Sequence, residues 1–179
     1  AIIARADRWV KVEDERLREL VPPPTVPRSG AIHPQECPRH GQEVLKHGGR
    51  YAWKIDFEHP YKVVCPVGGE TYPSNDFAAY LRSGMKDQSL LQGEYVDDGW
   101  GYRQAPGDKY SYWFVAYYAH WAARNFLLPA LGDLSQAYLL TDDPRYAHKC
   151  ALLLWQLAQY YPDYAYEKLG FKNAAIIMN

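Results

Sequence analysis

The sequence predicts a mainly α-helical protein that carries a long loop-rich segment with short strands. Three observations lead to this: a helical period over residues 2–20, its loss between Ala31 and about Gly107, and two long helical runs after residue 111. Apolar residues at intervals of three to four predict a helix with one packed face. We therefore expect an N-terminal helix and Pro-rich linker over 1–30, a loop-rich aromatic segment over 31–110, and the first helical hairpin or hairpins over 111–179.

The first helix is predicted over residues 2–20. Its apolar side carries five residues at helical spacing, namely Ile2, Ala6, Trp9, Val10 and Leu17. The following run "VPPPTVPRSG" ends the helix, because consecutive prolines lack the backbone donor and hold the chain extended.

The loop-rich segment contains Gly, Pro and aromatic residues every few positions. Short strands are predicted around Tyr51–Ile55 and Tyr61–Cys65. "TYPSNDF" predicts a turn and then a short helix over Asp76–Arg82, with Ser74 or Asn75 as its N-cap. A loop region of this length is uncommon in a compact domain unless it has a function.

The last third of the chain predicts an αα-hairpin. The first run, "SYWFVAYYAHWAARNFLLPALGDLSQAYLLT", has a helical period that Pro129 should kink or split. "TDDP" then predicts a helix start with Asp142 or Asp143 as cap and Pro144 in the first turn. This second helix should end before Pro162. On this second helix we expect Cys150 to be a buried free thiol. We expect the side chains of Arg145 and Lys149 to be solvated.

Composition excludes some classes of function. A net charge of -1 and a pI near 6.7 argue against a nucleic-acid binder, which needs a concentrated basic face. Aromatic residues make up 15% of the chain, including 16 Tyr and 6 Trp, which suits sugar binding as well as it suits an aromatic core. No apolar run approaches the roughly 20 residues of a membrane span. Because the chain begins in a helical pattern and ends without a cap, we expect it to be part of a longer protein.

Two similar motifs, Cys37-Pro-Arg-His40 and Cys65-Pro-Val-Gly68, make a candidate metal site. Cys37, His40 and Cys65 are three plausible ligands of a structural zinc, and Gly68 stands where a fourth is expected. Structural zinc is usually tetrahedral, so His33, four residues before Cys37, is a candidate fourth ligand. A Cys37–Cys65 disulfide and two free thiols remain alternatives.

Two weaker histidine candidates for this site are His47 and His59. Whichever alternative holds, we expect the motifs to staple a loop and to take no part in catalysis.

The loop "DDGWGYRQ" is a candidate ligand-binding site, since a Trp with a nearby Arg suits an anionic sugar through stacking and a bidentate contact. Its candidate residues are Trp100, Tyr102 and Arg103. Asp97 and Asp98 offer too few oxygens for calcium, so we expect them to cap or solvate the loop. An ordered surface loop without a ligand is the alternative.

Several motifs, taken in order, resemble the N-terminal part of heparinase II/III-like polysaccharide lyases. They are "VPRS", "CPRHG", "YAWKIDFEHPYKVVCPVGGETYPSNDF", "VDDGWGY", "AYYAHW" and "DDPRYAHKCALLLWQLAQYYPD", which cover most of residues 1–166. The resemblance implies part of an incomplete (α/α) toroid, with the family's β-sheet domain absent from this chain. In that family the second motif often reads Cys-Pro-x-Cys, so this sequence departs from the pattern at Gly68.

The resemblance also implies a function. The family cleaves uronic-acid polysaccharides such as alginate or glycosaminoglycans by β-elimination, and its members are secreted or periplasmic. The resemblance places the main catalytic group beyond Asn179, which leaves the catalytic residues unassigned. The implied partners are the acidic polysaccharide and the remainder of a longer chain.

On a toroid helix the inner face would line the sugar cleft, which makes "YYAHWAARN" the strongest substrate-binding candidate. The residues concerned are Tyr118, His120, Trp121 and Asn125, with His120 a weak catalytic candidate because its pKa is ordinarily near neutrality. The alternative is that these side chains belong to a helix-packing core.

Two other functions remain open. An α/α-toroid glycoside hydrolase would need paired carboxylates across a cleft, and a carbohydrate-binding module would need no catalytic group.

Overall fold

A computed structural model describes residues 1–26, 36–48, 52–107 and 111–164. It is mainly helical with one small two-stranded sheet, as the sequence predicts. The helices are α1 (Ile2–Val10), α2 (Asp14–Arg18), α3 (Phe77–Arg82), α4 (Phe114–Ala122), α5 (Leu128–Thr141) and α6 (Pro144–Tyr160). The strands are β1 (Val63–Val64) and β2 (Thr71–Tyr72). Two compact units contain these elements: one draws its described residues from 1–25 and 122–164, and the other from 26–121.

The first unit consists of α1, α2 and the α5–α6 hairpin. Leu17, Leu134 and Leu153 are fully buried in its core, and Ala6 and Trp9 add the buried side of α1. The predicted hairpin is therefore present, with both α1 and α2 contacting α6.

The single helix predicted over residues 2–20 is in fact two helices. Lys149 supplies the reason, because its ammonium donates to the Val12 carbonyl at 2.5 Å and to the Asp14 carboxylate at 2.6 Å. Glu13 between them is extended, with ψ 145°, and starts α2. The expectation that Lys149 is solvated is therefore wrong: its side chain is buried, and a buried ammonium needs such partners.

The ends of the hairpin helices follow the predicted signals. Asp143 caps α6, since its Oδ1 accepts the Arg145 N–H at 2.9 Å, while Asp142 ends α5 in the left-handed region at φ 54°. Arg145 is exposed and pairs with Asp143 at 2.7 Å. Cys150 is a half-buried free thiol, and burial raises its pKa.

The long helical run before the hairpin is split, as Pro129 predicts. The break is a π-helical turn over Ala123–Leu127, directly after α4, and Pro129 lies in the first turn of α5. A π turn inserts one residue into the α-helical hydrogen-bond ladder and so interrupts the helical period.

The second unit contains the sheet, α3 and α4. β1 and β2 pair antiparallel with Val63 opposite Tyr72, and Lys54 forms an isolated bridge to Val64. The strand predicted over Tyr61–Cys65 thus contains β1. Of the strand predicted over 51–55, residue 51 lies outside the described residues and only Lys54 takes part in a bridge. β2 lies where the sequence predicted a turn.

The N-cap of α3 is Asp76, whose Oδ1 accepts the Ala79 N–H at 2.9 Å. The prediction of Ser74 or Asn75 is therefore wrong. Both are occupied elsewhere: Ser74 Oγ accepts the Tyr95 N–H, and the Asn75 amide pairs with the backbone of Asp97.

Asp97 connects the aromatic loop to the start of α4. Its fully buried carboxylate accepts N–H groups from Gly99 at 2.8 Å, Gly101 at 2.9 Å and Val115 at 3.1 Å. Gly99 and Gly101 have φ of 104° and 85°, a region that favours glycine. Of the two roles predicted for Asp97, capping or solvating the loop, the buried carboxylate therefore takes the first, because it accepts backbone N–H groups of the loop and of α4.

Aromatic rings fill the core of the second unit. Tyr72 stacks on Phe114 with centroids 4.8 Å apart, and Trp53 meets both rings at 5.8 and 5.9 Å. Among the described residues, no helix is long and apolar enough to cross a membrane.

Candidate metal centre

Two tight turns present the cysteine motifs in the second unit. In the first, Cys37 and Gly41 exchange backbone hydrogen bonds at 2.9 and 2.8 Å. In the second, the Gly69 N–H donates to the Cys65 carbonyl at 3.0 Å. Gly41 and Gly69 have positive φ of 53° and 77°, so each turn needs its final glycine. The sequences Cys-Pro-Arg-His-Gly and Cys-Pro-Val-Gly-Gly therefore fold into similar knuckles.

The knuckles bring together three side chains that the sequence singled out. The Sγ atoms of Cys37 and Cys65 lie 3.5 and 3.6 Å from Nδ1 of His40. All three ligand atoms lie within 4.8 Å of one another. Ordinary zinc–sulfur and zinc–nitrogen bonds at a tetrahedral angle would separate sulfur from nitrogen by about 3.6 Å. The three residues are close enough to bind one metal ion.

Both thiols have neighbours that suit a thiolate. Burial raises the pKa of the Cys65 thiol, while the backbone N–H groups of Gly68 and Val67 bond to Cys65 and act in the opposite direction. Cys37 Sγ lies 3.4 Å from the Tyr72 hydroxyl. Burial, and then this contact with Cys37, raise the pKa of Tyr72 far above its ordinary range, so Tyr72 stays protonated and can donate to a thiolate.

The second ring nitrogen of His40 faces a carboxylate. His40 Nε2 lies 3.4 Å from Oε1 of Glu70, which also accepts from Arg39 at 3.5 Å. A metal-binding histidine commonly has a carboxylate or carbonyl at its other nitrogen, which fixes the tautomer and the ring orientation. Glu70 thus leaves Nδ1 to face the two sulfurs.

Sequence reasoning missed Glu70 and Tyr72, which follow the second knuckle directly. The available signal was the extended stretch after Gly69, where alternate residues point to one side.

The other predicted ligands do not join this group. His33 lies outside the described residues. His47 is exposed, and exposed His59 pairs with Asp56 at 2.8 Å. Within the described ranges, the candidate cluster is Cys37, His40 and Cys65, and both cysteines are free thiols.

The predicted substrate-binding stripe divides by burial. Tyr118 is buried against Tyr61, with centroids 5.2 Å apart, and its hydroxyl donates to the Asp56 carbonyl at 3.4 Å. His120 and Trp121 are half-buried with rings 5.1 Å apart, edge to face. Asn125 is exposed in the π turn. Tyr118 thus has a packing role, while His120 and Trp121 are partly accessible.

The predicted loop site has an exposed aromatic face. Trp100 is 53% exposed, and Asp98 supports its turn by accepting the Trp100 N–H at 2.9 Å. Arg103 is exposed, with Nε donating to Ser111 Oγ at 2.9 Å. Tyr102 is half-buried and lies edge-on to Tyr95 at 5.4 Å. Trp100 and Arg103 are therefore open to a ligand.

Comparisons with known proteins do not assign the chain. No family model, no curated protein and no solved structure matches it.

Proposed function

We propose that this chain is the N-terminal part of a polysaccharide lyase, and that a structural zinc at Cys37, His40 and Cys65 staples its loop-rich unit. The observation that carries the zinc is the pair of sulfur–nitrogen distances, 3.5 and 3.6 Å, around a single imidazole nitrogen. The order of the sequence motifs, with a helical hairpin after the knuckles, supports the lyase.

Zinc fits the ligand atoms. Two thiolates and an imidazole are the donors that zinc prefers, and zinc has no redox chemistry of its own. Bound there, the ion would cross-link the knuckle at Cys37–Gly41 to the one at Cys65–Gly69. The Val67 and Gly68 N–H groups and the Tyr72 hydroxyl would hold the thiolates, and Glu70 would orient His40.

The zinc proposal predicts that the purified protein contains one zinc per chain, as measured by elemental analysis. Cys37→Ser, Cys65→Ser and His40→Ala should each lower the zinc content at least tenfold, because loss of one ligand from a small site removes most of the affinity. Cys150→Ser is the matched control, since this thiol lies in the other unit, and it should keep its zinc.

Thiol counting separates zinc from the disulfide alternative. Denatured without reductant but with a chelator, the wild-type chain should show three reactive thiols. One reactive thiol and no zinc would establish the disulfide and contradict the metal centre.

The proposed lyase cleaves acidic glycans such as alginate or glycosaminoglycans, outside the cell or in the periplasm. β-Elimination removes a proton α to a uronate carboxylate, so the enzyme must neutralise that carboxylate and move the proton. The exposed Trp100 and Arg103 suit a uronate, through ring stacking and a charged contact. His120 and Trp121 provide a second, half-buried pair, and the incomplete (α/α) toroid is the fold that we propose for the helical part.

The test uses the full-length protein that contains this chain. It is incubated with alginate, heparan sulfate, chondroitin and hyaluronan, and the ultraviolet absorbance of the unsaturated uronate is followed. We expect a rise with one substrate that falls at least tenfold in His120→Ala or Trp121→Ala. Trp155→Ala is the control, because Trp155 is an exposed aromatic residue of α6 in the other unit.

Other outcomes identify other functions. New reducing ends without the absorbance would indicate a glycoside hydrolase. Binding without either product would indicate a carbohydrate-binding module. A rise that both variants retain would keep the lyase and return His120 and Trp121 to a packing role.

A further inference from the structure

Gly68 occupies the position in the second knuckle that His40 occupies in the first. A Cβ at Gly68 would collide with both carboxylate oxygens of Glu70 and would lie 2.5 Å from Cε1 of His40. Real Cβ contacts are not this short, so the Glu70 carboxylate fills the space that a side chain at residue 68 would take. The second knuckle thus lacks the ligand that the first one has, and the Glu70 carboxylate occupies the position of that side chain.

The two oxygens of Glu70 have different surroundings. Oε1 contacts His40 and Arg39, whereas Oε2 is buried and has no hydrogen-bond partner among the described residues. A buried carboxylate oxygen without a donor is costly. It needs a hydrogen-bond donor that this part of the chain does not supply.

We propose that the metal centre takes three ligands from the described residues and an exchangeable fourth ligand on the Gly68 side, and that Glu70 accepts a hydrogen bond from that fourth ligand. The inference rests on the proposed metal centre. Zinc with three protein ligands normally completes its coordination with water or another small donor. Here Gly68 supplies no side-chain ligand, and Oε2 of Glu70, which has no hydrogen-bond partner among the described residues, provides the acceptor.

Solvent can reach this side of the centre. Gly68 is exposed, and the side chains of His40 and Glu70 are 25% and 23% exposed. Two thiolates neutralise a divalent ion, so the adjacent Glu70 disfavours an anion and favours a neutral ligand that carries a hydrogen. Water, a neutral imidazole or a small amine meets this requirement.

Cobalt substitution tests the inference without any assay of activity. Co²⁺ replaces zinc in the purified chain, and its visible d–d bands and sulfur-to-metal charge-transfer band report the ligands. We expect added imidazole to shift the d–d bands saturably in wild type. Glu70→Leu keeps the volume but removes both acceptors, and it should weaken imidazole binding about tenfold.

Gly68→Cys supplies the missing ligand. It should raise the charge-transfer intensity about 1.5-fold, from two thiolates to three, and abolish the response to imidazole. Glu70 must swing away for the new side chain to fit. If this variant does not fold, the wild-type and Glu70→Leu titrations still decide the matter.

The other outcomes overturn the inference in distinguishable ways. Cobalt binding with no response to imidazole would mean that the protein supplies the fourth ligand, which leaves the metal centre intact. Equal imidazole affinity in wild type and Glu70→Leu would remove the role of Glu70. No cobalt binding at all would overturn both the centre and the open position.

Discussion

Two opposing effects act on the pKa of the buried Asp97 carboxylate. Burial raises its pKa to about 6, although N–H groups from Val115, Gly99 and Gly101 favour the charged form. No basic side chain is among these partners. The folded protein is therefore more stable when Asp97 is protonated. Ionisation of Asp97 at neutral pH lowers the free energy of unfolding, and the three hydrogen bonds offset this loss only in part.

Asp97→Asn should lower the free energy of unfolding by about 1–3 kcal/mol, because its amide group cannot accept the Val115 N–H. The folded-state pKa of about 6 lies above the ordinary 3.8, so the contribution of Asp97 is full below about pH 4 and declines as pH rises toward 6. The difference between wild type and variant, measured by urea unfolding, should therefore shrink from pH 4 to pH 7. A difference that grows with pH would contradict this assignment.

Helix boundaries were mostly predictable because they depend on local chemistry. Proline and aspartate in "TDDP" specify the start of α6 wherever the helix later packs. The division of the first helix was not predictable, since it depends on Lys149, which is 137 residues from Val12 in sequence. Asp76 capped α3 in place of Ser74 and Asn75 for a similar reason, because partners at residues 95 and 97 engage those two.

The two aspartates before α6 offer three substitutions that test the cap. Asp143→Ala should lower the free energy of unfolding by about 1 kcal/mol, since it removes the cap of the Arg145 N–H, whereas Asp143→Asn should change it little. Asp142→Gly should be neutral or stabilising, because φ of 54° favours glycine. Thermal unfolding followed by circular dichroism measures all three. Equal losses at both positions would argue against Asp143 as the cap.

The candidate site shows the same division between local and distant causes. Cys37, His40 and Cys65 were predictable from spacing, because each motif folds on itself. Tyr72 and Glu70 were not, since their roles arise only when the second knuckle meets the first. The sequence shows that Gly68 stands where the first knuckle has His40. Only the structure shows that the Glu70 carboxylate occupies the place of the missing side chain.

Across the whole molecule, large apolar side chains are exposed on the α5–α6 hairpin. They include Leu139 at 82%, Leu140 at 66%, Trp155 at 56% and Leu154 at 51%. Exposed apolar area of this kind promotes association in water.

We expect the isolated chain to self-associate at micromolar concentration. Leu139→Lys with Trp155→Lys should raise the monomer fraction severalfold, as measured by analytical ultracentrifugation, because both changes replace exposed apolar surface with charge. Lys46→Glu is the control, since it alters charge on an exposed site in the other unit. A wild-type chain that stays monomeric would contradict the prediction.

Tyr72 contacts both the candidate metal centre and the aromatic core of the second unit. Its hydroxyl touches Cys37 Sγ, while its ring lies 5.8 Å from the indole of Trp53. A metal ion that draws electron density from the sulfur changes the dipole beside that ring, and indole emission is sensitive to such changes. Binding of the proposed metal ion should therefore be detectable in the intrinsic fluorescence of the protein. Removal of the ion should change the fluorescence of Trp53, and the change in emission should be smaller in a Trp53→Phe chain, which keeps the other tryptophans.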